Sequence, residues 1–270
     1  MPALASLAAF AQAVSDFPVS DLGLVLEPAA RAAAERSVAQ SGLLLLGEVH
    51  GVRENPLVIR ALLRALGLAG LALEWDEELA PVVRAFLAGG ALADHRLLWF
   101  GDGRITAGHL AVLRERAGAG SLHLTLMDGM ARGGMGGEET WSQRDEAMAG
   151  RVLAATAGLP TLVVAGNAHT PTHRTELGRP LGAVLAASRP GVREIRIDYR
   201  SGRFYNAAPR RFRPRTGSRR LPPRLLLRNE NLTLVLPAAT EAVVPQRSWP
   251  PPGPSGSIQG GGSGSPGSAG

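Results

Sequence analysis

The sequence predicts an α/β protein: a three-layer sandwich with a mainly parallel central sheet. Two observations carry this expectation. Between residues 28 and 200, short apolar runs alternate with longer helix-period stretches, as βα units do. Each run also stays hydrophobic until its last residue or just beyond, as strands covered on both faces must. A helix over 28–40 precedes the first strand at 43–48, and further strands are expected at 70–75, 122–128, 161–166 and 194–199. Helices fill the intervals at 56–66, 77–87, 108–116, 141–156 and 181–187. Pro56 suits a first helical turn, and Ser142 with Asp145 has the spacing of a capping box. Gly118, Gly158 and Gly191 can supply stops.

At 270 residues and 45% hydrophobic, the chain has ample apolar material for a core. It contains no cysteine, which excludes disulfides, thiolate metal sites and cysteine nucleophiles. The formal charge of +6 is local: residues 209–228 hold eight arginines and no acid, leaving the remainder near −2. Lysine is absent throughout, which points to compositional bias rather than a basic surface, and Phe212 is the one aromatic among those arginines. Nucleic acid is therefore not an expected partner. The opening stretch lacks a basic segment and no apolar run is long enough to span a membrane, so a cytoplasmic protein is expected. Oligomeric state is not readable.

Three regions are expected: an α/β domain over 1–208, an arginine-rich extension over 209–244, and a disordered Gly/Pro/Ser-rich tail over 245–270. A strand at 232–236 is available to return to the sheet. Deleting everything after Asn206 is expected to spare activity unless that strand completes the sheet.

The polar residues that interrupt the pattern fall together. The first strand ends at Glu48 with His50 behind it, the second at Glu74, the third at Asp128, and the fourth runs into Asn167 and His169. Ligands of open α/β sheets bind outside the carboxyl ends of the strands, where all of these groups lie. His50 and His169 share the spacing Gly47-x-x-His50 and Gly166-x-x-His169. By contrast, His95, His109, His123 and His173 read as ordinary surface or core histidines.

The stretches GEVHGVRE (47–54), LALEW (71–75), RDEAMA (144–149) and VVAGNAH (163–169) together resemble the erythromycin esterase and ChaN-like haem-uptake superfamily. The Tiki and TraB proteases are distant relatives of that superfamily, and the resemblance spans roughly 43–173. In the esterase branch the motif is Gly-Glu-x-x-His-Gly, followed by an Arg-Glu pair. Here only Val49 separates Glu48 from His50, which resembles the Gly-Glu-x-His motif of the ChaN-like branch. No residue matches a haem-ligating tyrosine motif, and Tyr199 and Tyr205 are the only tyrosines.

The resemblance implies a hydrolase acting on an ester or lactone, less readily an amide, in a small-molecule substrate. His50 would take a proton from water, and Glu74 or Glu48 would orient it. Arg53 or His169 would stabilise the oxyanion, while Asn167, Asp128 and Arg144 would bind substrate. No cofactor is required in this reading. A second version places a divalent metal on Glu48, His50, Glu74 and His169. A third reads the protein as a ChaN-like binder of haem or another small molecule.

Overall fold

Apolar runs become strands, and the stretches between them become helices, in the computed structural model, which describes residues 4, 6–120, 122–129, 137–156, 158–214 and 221–246. After α1 (Leu7–Ser15), a two-residue strand β1 (Val25–Leu26) and α2 (Pro28–Ser41) lead into β2 (Leu43–Glu48). Next come α3 (Asn55–Ala65), β3 (Gly70–Asp76), α4 (Ala80–Leu87), α5 (Ala107–Gly118) and β4 (His123–Asp128). The alternation continues through α6 (Gly137–Ala155), β5 (Thr161–Gly166), α7 (Leu181–Ser188) and β6 (Glu194–Tyr199). A hairpin of β7 (Gly202–Asn206) and β8 (Ala208–Phe212) follows, then β9 (Arg224–Arg228) and β10 (Asn231–Leu236).

Local chemistry sets most boundaries. Pro56 lies in the first turn of α3, where a missing N–H leaves no bond unmade. Gly42 closes α2 in the left-handed conformation at φ 77°. Residues 77–79 form a 3₁₀ turn ahead of α4 rather than its first α-helical turn, because the Asp76 carboxylate accepts from the Glu78 N–H. The expected capping box at Ser142 and Asp145 is not formed. Both residues lie inside α6, and their side chains reach the distant 179–181 segment, accepting from the N–H groups of Arg179 (3.0 Å) and Leu181 (2.7 Å).

The main sheet runs β1–β9–β10–β6–β2–β5–β3–β4, parallel at every junction except β9–β10. Alternation along β2 sends Leu44 and Leu46 to a core shared with α2, α3 and α5, and Leu43 and Leu45 to one shared with α6 and α7. Helices thus cover both faces, giving the three-layer α/β sandwich. All six residues of β2 are buried. Each buried leucine contributes about 1.5–3 kcal/mol, so four of them outweigh the several kcal/mol that burying the Glu48 carboxylate costs.

The arginine-rich segment is part of this architecture. The strand expected at 232–236 becomes β10 and sits inside the sheet between β6 and β9, so the segment supplies two strands. A boundary at 208 falls within the β7–β8 hairpin, whose Phe212 stacks on Phe204 (4.5 Å) and on Tyr199 of β6 (4.6 Å). Most of the expected tail, 247–270, and residues 215–220 lie outside the described residues. Among the described residues no helix is long and apolar enough to cross a membrane.

The chain leaves β2 for α3 on one face, and leaves the neighbouring β5 for α7 on the other. That divergence opens a crevice at the C-terminal ends of β2, β5 and β3, the position where such sheets bind ligands.

Candidate active site

The turn after β2 is held from beneath by a closed ring of hydrogen bonds. Asn55 Nδ2 donates to the Val49 carbonyl (2.9 Å), the Val49 N–H donates to Tyr199 Oη (3.1 Å), and that hydroxyl donates to Asn55 Oδ1 (2.9 Å). Burial, aided by the charge of Glu48, pushes the Tyr199 hydroxyl well above its ordinary pKa, so it stays a neutral donor. Gly51 makes the turn possible. Its φ is +70°, and any Cβ there would overlap the Tyr205 carbonyl.

His50 emerges from this turn between two buried carboxylates. Its Nδ1 lies 3.3 Å from Glu48 Oε1, and its Nε2 lies 3.8 Å from Glu74 Oε2, beyond hydrogen-bond reach. Gly166, paired with Glu48 across the β2–β5 ladder, leaves the space that the ring occupies: a Cβ there would stand 3.1 Å from His50 Nε2. The imidazole is 14% exposed, while Glu48 and Glu74 are nearly inaccessible. Burial acts to lower the His50 pKa, but the hydrogen bond to Glu48 and the charges of Glu74 and Glu48 outweigh it and the pKa is raised.

Glu74 is the hub. Its Oε2 accepts from the Gly166 N–H (2.7 Å) and its Oε1 from Arg144 Nη2 (2.8 Å), with Arg104 Nη1 and His169 Nε2 each 3.4 Å from Oε1. Burial acts to raise its pKa, and His169, Arg104, His50 and Arg144 together hold it well below the usual carboxylate range. Asp128 locks both arginines. Arg144 donates to it through Nε (3.0 Å) and Nη2 (2.7 Å), and Arg104 through Nη1 (2.9 Å). Arg104 is also bonded through Nε to Asp102 (2.5 Å), so two guanidinium groups serve Glu74, Asp128 and Asp102, and the cationic group nearest Glu48 is the His50 imidazole when protonated.

His169 is held on three sides. Its Nδ1 is 2.7 Å from Asp145 Oδ1, its ring stacks on Trp141 at 4.3 Å, and its Nε2 faces Arg144 Nη1 at 3.3 Å. A guanidinium can only donate, so neutral His169 carries its proton on Nδ1 and accepts at Nε2.

Of the residues read from the sequence, Glu48, His50, Glu74, Asp128, Arg144 and His169 converge. Others take different parts from those expected. Arg53 is exposed, with its guanidinium over the Phe17 ring at 5.6 Å, because the Gly51 turn carries the chain away from the cleft. It is not an oxyanion group. His169 is itself buried, with Nε2 facing Arg144 Nη1 and Glu74 Oε1. Asp128 has both oxygens occupied, by Arg104, Arg144 and the Gly129 N–H (2.8 Å), so it positions cations rather than binding substrate. Asn167 is half-buried and ties its backbone N–H to the Glu48 carbonyl (2.9 Å).

Arg104, Asp145, Trp141 and His109 complete the site and were not foreseen. Asp145 stands beside Arg144 in RDEAMA, and its place in that motif is the signal that could have singled it out. Arg104 lies in an irregular loop with no periodic signal. His109 is hydrogen-bonded to Thr106 as a core histidine would be, yet it lines the same small cavity as Glu48, His50, Glu74, Trp75 and Arg104. That cavity has room for about one water molecule.

Neither proposed cofactor suits these residues. Among the described residues no group of three or more His, Asp or Glu side chains is disposed to hold a metal ion. The reason is electrostatic: Arg144 and the Gly166 N–H occupy Glu74, and the Arg144 guanidinium faces His169 Nε2 at 3.3 Å. For haem, neither tyrosine offers a ligand: the Tyr199 hydroxyl is committed to Asn55 and Val49, and that of Tyr205 bonds to Gln246.

No protein-family model matches the chain, and no curated protein matches it. Among solved structures, a succinoglycan biosynthesis protein aligns over 87% of this chain and 99% of its own, with TM-score 0.58 and 9% identity. That likeness is one of fold alone. The type III effector HopBA1 aligns over 78% of this chain and 91% of its own, at 16% identity and TM-score 0.48. A structure of bacterial protein toxins is 19% identical over 60% of this chain, at TM-score 0.43, and the chain spans only 34% of that structure's length.

Proposed function

We propose that the protein is a metal-independent hydrolase of an ester or lactone, with His50 as general base. One observation carries this reading: Glu48 engages His50 Nδ1, while Nε2 has no hydrogen bond and the ring is 14% exposed. A carboxylate on Nδ1 favours the tautomer whose Nε2 lone pair is free to accept a proton. The ordered motifs resemble those of the erythromycin esterase and ChaN-like superfamily, whose esterase branch carries out this class of reaction.

In the proposed reaction His50 Nε2 removes a proton from water as the oxygen attacks the carbonyl carbon. The imidazolium so formed is stabilised by Glu48 and Glu74. Arg104 lines the cavity with His50, and although Asp102 and Asp128 hold its Nε and Nη1, its charge would stabilise the developing oxyanion. Collapse of the tetrahedral intermediate breaks the C–O bond, and His50 returns its proton to the departing alkoxide. Arg144 and Asp128 hold Glu74 and Arg104 in place.

A panel of nitrophenyl esters and lactones tests this. His50→Ala, folded as judged by circular dichroism, is expected to lose about 100-fold or more in kcat. Hydrolysis by His50→Ala at the wild-type rate would falsify the reading.

A further inference from the structure

One oxygen of the Glu48 carboxylate, Oε2, is buried without a hydrogen-bond partner in the protein, although Glu48 itself is only 4% exposed. A buried charged oxygen without a donor is costly, and such groups in folded proteins nearly always find one. Facing it at 4.0 Å is Nε2 of His109, too far for a direct bond.

The protonation of His109 follows from its neighbours. Thr106 Oγ1 accepts from the His109 backbone N–H (3.2 Å) as the helix N-cap and can donate its own proton to His109 Nδ1, 2.9 Å away, while the Glu48 carboxylate facing Nε2 draws the ring hydrogen there. Neutral His109 then carries its hydrogen on Nε2, aimed at Glu48. Burial keeps it neutral by lowering its pKa, against the raising effect of Glu48. An acceptor and a donor thus oppose each other across a cavity with room for about one water. With arms of about 2.8 Å, a single water oxygen spans 4.0 Å at an angle of roughly 90°, close to what water tolerates.

We propose that a water molecule bridges Glu48 Oε2 and His109 Nε2, and that His109 thereby acts as a positioning residue for Glu48 against His50. Anchoring Oε2 stops the carboxylate from rotating. Oε1 stays on His50 Nδ1, which keeps the Nε2 lone pair of His50 facing the cleft. The consequence for catalysis rests on the hydrolase reading above, but the bridge and its effect on His50 do not require it.

The test uses the full chain without substrate, at alkaline pH where His50 is neutral. A high-resolution crystal structure is expected to show one water within hydrogen-bonding distance of both atoms, and imidazole ¹⁵N spectra a proton on Nδ1 of His50. His109→Phe removes the donor, and the His50 tautomer ratio is expected to move about tenfold toward Nε2–H. His109→Gln, whose side-chain amide can donate, should restore the wild-type ratio. If His109→Phe does not fold, His109→Leu serves, since it also lacks a donor and the same shift is expected. An unchanged His50 tautomer in the folded variant, or a structure in which His109 bonds Glu48 directly, overturns the proposal. Absence of hydrolysis alongside the expected tautomer shift would count against the proposed activity and leave the bridge standing.

Discussion

His50 and Glu74 stand 3.8 Å apart, and in both of them local partners overcome the burial that opposes charge. The two shifts make opposite predictions for stability. The raised His50 pKa means that its contribution is fully present below its ordinary value of 6.5 and is lost as pH climbs through the raised one. The lowered Glu74 pKa means that its contribution is present above 4.5 and is lost as pH falls through the depressed one. Urea unfolding across pH should therefore show His50→Gln removing part of the alkaline decline, and Glu74→Gln flattening the acid one; a full acid-side slope in Glu74→Gln would refute that role. Arg144 gives a third test. Arg144→Met leaves Glu74 and Asp128 buried with one fewer cation, and a loss of about 3–5 kcal/mol is expected by the same measurement. Glu48, His50, Glu74 and His169 were legible in the sequence because each ends an apolar run or closely follows one. Arg104 and His109 were not, because a charge in an irregular loop and a histidine in a helix carry no such break.

At the level of elements, the end of β5 shows how narrow the tolerances are. Gly166 serves Glu74 with its N–H and His50 with its missing side chain. Gly166→Ala would place a methyl 3.1 Å from His50 Nε2 and 3.4 Å from Glu74 Oε2, at a backbone conformation alanine accepts. Wild-type folding with activity reduced about tenfold or more is expected, since small misplacements of catalytic groups are costly; unchanged kcat would show that the ring has room to move. α6 teaches a complementary lesson. Ser142 and Asp145 had the spacing of a cap, but the helix starts earlier and both side chains bond to the segment leading into α7. Arg53 fails for a related reason: adjacency in a motif is not adjacency in space once Gly51 turns the chain.

Across the whole molecule, the arginine-rich segment changes meaning. Read along the chain it resembles a solvated extension, but β10 lies between β6 and β9 and buries Leu232, Leu234 and Leu236, with Leu225 of β9 alongside. Four buried leucines are worth about 6–12 kcal/mol, comparable to the entire net stability of a typical domain. Truncation after Asn206 is accordingly expected to abolish folding, seen as loss of the cooperative thermal transition. A truncated chain that melts cooperatively near the wild-type temperature would contradict this.

By itself the sequence determined the α/β class, the positions of five parallel strands and the edge on which ionisable groups gather, since buried parallel strands must be continuously apolar and any exception stands out. Only the tertiary structure decided which partners those groups have. Arg104 and His109 reach the cleft from one side of the sheet, Arg144 and Asp145 from the other, and β10 joins the sheet beside β6 from far along the chain. These are pairings between segments distant in sequence, set by packing and charge balance rather than by any local periodicity.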